Sequence, residues 1–143
     1  MTHEIVKRIL IAVISTVLFS ISLAIFVYTP ASNREPDSSY NSLLGLFTIY
    51  ALFSGPVFVI AGIIWSFIFD KISRKYLTRS KRYFTKFILY IIAGLGSTVI
   101  FLFIISNGKI ISNTETFSFL LLGIIASLLY YHLLIIWQFL FKK

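Results

Sequence analysis

The chain has 143 residues, of which 58% are apolar and only 13% charged, with a net charge of +8. One domain of this size could not bury so much apolar surface from water, so an ordinary soluble fold is excluded and an integral membrane protein is expected. There is no cysteine, which excludes disulfides, thiolate metal sites and a cysteine nucleophile.

The chain opens with Lys7 and Arg8, followed by an apolar run over 9–28 that is long enough to span a bilayer. A positive start before an apolar run also describes a signal peptide, and Thr29-Pro30-Ala31 offers small residues for cleavage. The run is longer than a usual signal-peptide core, so the expectation is a retained span. Ala12, Thr16, Ser20 and Ala24 recur four apart and form one candidate helix-packing face.

A polar loop follows, in which Ser38, Ser39, Asn41 and Ser42 are candidate helix caps. The next apolar stretch, 43–69, would be about 40 Å long as a straight helix, against a hydrocarbon core of about 30 Å. It must tilt, kink or begin among the headgroups. Pro56, after Ser54-Gly55, removes a backbone hydrogen bond and crowds the carbonyl of Leu52, so a kink is expected there. The kink reads either as a hinge at a binding site or as a static bend satisfied by Ser54 or a neighbour. The bend is the simpler reading. Gly55 and Gly62 are candidate contact positions on this span. Asp70 and Arg74 are spaced to pair across one helical turn.

The stretch 71–86 holds seven of the thirteen Lys and Arg residues. It separates the second span from a third at 87–105, where Gly94 lies among Ala93, Gly96, Ser97 and Thr98. Small pairs four apart there suit close helix packing, and Gly94-Leu95-Gly96 reads as packing rather than as a phosphate loop. The last span covers 117–141 and is followed by Lys142-Lys143. Within it, His132 is an ionisable group well inside an apolar run and a functional candidate for that reason. The bland alternative is a neutral imidazole bonded to a carbonyl, hydroxyl or water. Gly123 and Ser127 lie on the other side of the same helix and are candidate packing positions.

Eleven Lys and Arg residues fall in the N-terminal, middle and C-terminal segments, against two (Arg34 and Lys109) in the remaining loops. The positive-inside rule then predicts both termini and the basic loop 70–86 in the cytosol. The hairpins also echo each other. Ser15-Thr16-Val17-Leu18-Phe19 resembles Ser97-Thr98-Val99-Ile100-Phe101, and Ile63-Ile64-Trp65-Ser66-Phe67 resembles Ile135-Ile136-Trp137-Gln138-Phe139. A parallel internal repeat and coincidence within a small span alphabet both stay open.

No carboxylate pair lies in the spans for acid–base work, and no His, Asp and Glu set has metal-ligand spacing. Ser127 and His132 are five apart and diverge on a helix, a poor nucleophile–base pair. Neither a catalytic residue, nor a cofactor, nor a metal is therefore expected. The run from Pro56 through Trp65 to Asp70-Lys71-Ile72-Ser73, followed by the basic loop, resembles small, functionally uncharacterised four-span membrane proteins of Gram-positive spore-forming bacteria. That resemblance implies a bacterial plasma-membrane location and no known activity. Small multidrug transporters carry a glutamate in their first span, and 9–28 has none.

The reading is an all-α, integral membrane four-helix bundle of two hairpins, one domain over 1–143. It is expected to be a non-catalytic accessory, regulatory or immunity-type protein acting through helix contacts. The expected partners are the lipid bilayer and itself or another membrane protein, with no specific nucleic acid. The alternative is a small oligomeric transporter or channel using the Pro56 kink and His132.

Overall fold

The computed structural model describes residues 2–33, 40–76, 82–106 and 114–141, and all of its regular structure is helical. Helix α1 runs Thr2–Val27 and is followed by a short 3-10 turn, Ala31–Asn33. The second span is built in three pieces: α2 (Leu43–Val57), a π turn (Phe58–Gly62) and α3 (Ile63–Tyr76). Helices α4 (Arg82–Ile105) and α5 (Thr114–Leu140) complete the chain. Four of these stretches are long and apolar enough to cross a membrane: Glu4–Val27, Leu43–Ser73, Tyr83–Ile105 and Thr116–Leu140. The helices extend beyond the apolar runs because polar residues such as Glu4, Lys7 and Lys86 continue the same turns.

Local chemistry explains the ends and the irregularity of the second span. Ser42 is extended (φ −66°, ψ 157°), and its hydroxyl accepts from the Gly45 N–H at 3.0 Å, an N-cap that satisfies one orphan donor. Pro56 sits two residues before the π turn, where its missing N–H and its ring interrupt the regular ladder. The Phe58 N–H is shared between the Ser54 and Gly55 carbonyls across this break. Ser54 does not repair it with its side chain: the Ser54 hydroxyl lies 3.1 Å from that of Ser20 on α1.

α1 packs on α2 and α4 packs on α5, giving two tight hairpins. The hairpins meet through α1 against α5 and, nearer the charged ends, α3 against α4. The core runs through Ile11, Ala12, Phe58, Phe69, Tyr90, Ala93, Tyr130, Tyr131 and Leu134. Large apolar side chains such as Phe26, Leu44, Leu52, Ile104 and Phe139 face outward, the inverse of a water-soluble surface and the pattern a lipid solvent permits.

Candidate functional site

Two features lie between the hairpins: a layer of charge and, beyond it, a cavity. The layer is built by three helices. Arg8 of α1 donates to the Ser66 hydroxyl and to Asp70 Oδ2, the latter at 2.5 Å. Lys86 of α4 donates to Asp70 Oδ1, also at 2.5 Å. Each carboxylate oxygen therefore holds one cation. The side chains of Arg8, Asp70 and Lys86 are 4%, 17% and 17% exposed. The Arg8 guanidinium also lies 4.0 Å from the centre of the Phe67 ring, a cation–π contact. Charged hydrogen bonds of this kind are strong where water is scarce, and removing one partner would strand the others.

Asp70 thus finds its partners on other helices. The side chain of Arg74, its expected partner, lies outside the described residues. From Arg8 to Val27 and from Lys86 to Ile105 is nineteen residues each, about 28 Å of helix. The layer is therefore about one hydrocarbon thickness from the far ends of the bundle.

That depth changes the standing of His132. It follows Tyr131, whose hydroxyl donates to the Tyr83 carbonyl at 2.9 Å, and its ring meets Phe87 edge-on at 6.3 Å. His132 is thus nearly level with Lys86, at the charged layer rather than deep among the apolar residues, because α5 continues past the start of α4. Its side chain is on an exposed flank, with Nδ1 2.7 Å from the Leu128 carbonyl of its own helix. The separation from Gly123 and Ser127 is only partial, since Phe87 belongs to the same helix they face.

Aromatic side chains form the floor between the layer and the cavity. Trp65 stacks on Phe69 at 5.4 Å, Phe69 meets Tyr90 edge-on at 5.0 Å, and Tyr90 stacks on Tyr131 at 4.8 Å. Above them is a cavity of about 200 Å³, bordered by all four spans and predominantly apolar. It exists because α2 leans on α1 rather than on α4. Most polar groups on its wall are already used. The Trp65 indole donates to the Ser97 hydroxyl at 3.0 Å, Ser127 donates to the Tyr90 carbonyl at 2.5 Å, and Thr98 donates to the Gly94 carbonyl at 2.9 Å. The buried Tyr130 hydroxyl has no hydrogen-bond partner among the described residues. Ser66 bonds to Arg8 and to the Ile63 carbonyl.

The small residues singled out in the sequence are spent inside the chain. Ala12, Ser20 and Ala24 are buried, and Thr16 bonds back to the Ala12 carbonyl and faces Gly55. A Cβ on Gly62 would come within 3.1 Å of the Tyr130 ring. Gly94 and Gly123 bring α4 and α5 into backbone contact, with Ser127 beside them. Gly96 faces open space. The two Trp residues of the sequence echo have different surroundings: Trp65 turns inward to Ser97, whereas Trp137 stacks on Phe141 at 4.4 Å.

Among the described residues no group of three or more His, Asp or Glu side chains comes together. The site can hold charge across helices and can accept an apolar guest. Sequence reasoning missed the Arg8–Asp70–Lys86 layer. Its signal was present: Asp70 is the one acid between Asp37 and Glu115, in a stretch crowded with cations. No protein-family profile matches the chain, and no curated protein or solved structure is similar to it.

Proposed function

We propose that this chain is a multi-pass protein of a bacterial plasma membrane, with both termini in the cytosol. We propose further that it acts without catalysis, as an accessory, regulatory or immunity-type factor, through contacts made within the bilayer. The observation that carries this reading is the cavity between the two hairpins. The small-residue faces are taken up inside the chain, most within one hairpin and Gly62 against Tyr130 of the other, so they are not free to receive a partner. The seam between hairpins is incompletely filled, and an unfilled apolar seam loses dispersion contacts that a guest can restore. Two lobes joined by α1–α5, the aromatic floor and an ionic layer can adjust their separation when that seam is occupied.

The test is a photo-crosslinking amino acid at Phe53 or Leu122, both on the cavity wall, with a lipid-facing control at Ile104. A distinct adduct at the wall positions, absent at the control and lost on filling the cavity with Ala126→Leu, supports the reading. Identical adducts at all three positions reject it. Reporter insertions in segment 77–81 and after Lys143 test the orientation, and an outside location for either one would overturn it.

The π turn bordering the cavity favours a second reading, a small oligomeric transporter or channel. That reading now rests on Pro56 alone, because His132 lies on the other side of the aromatic floor. A Pro56→Ala chain that keeps full function in a phenotypic assay removes it.

A further inference from the structure

The charged layer is not neutral. Arg8 and Lys86 share one carboxylate, which leaves one positive charge in excess. Among the described residues no further ion pair reaches it. Of the five acidic residues, Glu35 and Asp37 fall in the sequence between the first two spans, and Glu115 is in the first turn of α5. Glu4 pairs with Lys7 at 3.9 Å. By sequence, the N-terminal, middle and C-terminal segments hold eleven Lys and Arg residues and two acids, Glu4 and Asp70. An unbalanced charge in partly desolvated surroundings is costly until a counter-charge arrives.

The donors are also under-used. The Lys86 ammonium has three N–H groups, and Asp70 is its one partner among the described residues. Arg8 Nε is buried without a hydrogen-bond acceptor. Lys86 keeps a partly exposed face. At about one hydrocarbon thickness from the far ends of the bundle, the layer lies at the depth where phosphate groups of lipids are found.

We propose that Arg8, Asp70 and Lys86 form a binding site for a phosphate-bearing anion, the headgroup of an anionic lipid or free phosphate, with Lys86 as its direct ligand. Arg8 supplies charge from behind, and Asp70 holds the two cations together while the site is empty. Binding would fasten α1, α3 and α4 at one end of the bundle, independently of what fills the cavity.

The experiment measures thermal unfolding of the full chain in a neutral detergent. Phosphatidylglycerol, phosphatidylcholine or inorganic phosphate is added to the parent chain, Lys86→Gln, Asp70→Asn and Lys71→Gln. A bound anion raises the midpoint by mass action. The expected result is a rise of a few degrees with phosphatidylglycerol and none with phosphatidylcholine. Lys86→Gln loses that rise and Lys71→Gln, outside the layer, keeps it. Asp70→Asn starts lower but gains more from the anionic lipid than the parent does, because two cations then lack any acid. A purely structural ion pair would not show that excess gain. Equal protection by inorganic phosphate assigns the site to free phosphate. Equal response to the two lipids, an unaltered response in Lys86→Gln, or no extra recovery in Asp70→Asn overturns the proposal.

Discussion

Gly94→Ala is the sharpest test of the packing. A methyl group at Gly94 would sit 2.5 Å from the Gly123 carbonyl oxygen, 2.9 Å from Ser127 Cβ and 3.0 Å from the Gly123 carbonyl carbon. Carbon–oxygen contacts normally begin near 3.3 Å, so α4 and α5 must separate locally by somewhat under about 1 Å. Two of the obstructing atoms are backbone, and no rotamer change relieves them. The shift also stretches the Ser127–Tyr90 hydrogen bond, now 2.5 Å. Overpacking of this kind costs about 1–3 kcal/mol, and a weakened interhelical hydrogen bond in a membrane adds about 0.6 kcal/mol. The expected loss is therefore about 1.5–3.5 kcal/mol. Gly96→Ala, two residues along the same helix, meets nothing within 4 Å and should be neutral or slightly stabilising, since Ala is the better helix former. Reversible unfolding in mixed micelles compares the two. Equal stability of Gly94→Ala and the parent chain, or equal damage from Gly96→Ala, would refute the backbone contact.

Arg8→Ala should destabilise the chain far more than Lys7→Ala in the same unfolding assay. Arg8 is buried and bonds to two other residues, whereas Lys7 has one long contact to an exposed Glu4, the kind of pair that is worth at most about 1 kcal/mol. Trp65→Phe keeps the stack on Phe69 but removes the indole bond to Ser97. The expected cost is about 0.6–1.7 kcal/mol, and a Ser97→Ala background should abolish most of it in a double-mutant cycle. His132→Ala loses a bond to its own helix and an edge contact with Phe87. Its stability should change by less than about 1 kcal/mol, and a collapse of the fold would show that this flank is packed against something essential.

The four long apolar helices and their order are consequences of local composition, and the sequence alone was enough to find them. An apolar run has one stable conformation in lipid, a helix that satisfies its own backbone, whatever surrounds it. The Ser42 cap and the break at Pro56 are likewise local, since both involve backbone groups within one turn. Tertiary structure decided everything that depends on which helix stands opposite. Periodicity reaches only partners one turn away, such as Arg74 for Asp70, whereas the carboxylate also meets Arg8 and Lys86, sixty-two and sixteen residues away in the chain. It marked Gly94 and Gly96 alike as small, yet one touches backbone and the other open space. It set His132 deep in a run, while the offset of α5 against α4 brought that residue to the charged edge. The physical reason is the same throughout: a helix fixes the angle between its own side chains, whereas their neighbours depend on rotation, offset and tilt, which only the packing of the whole bundle sets.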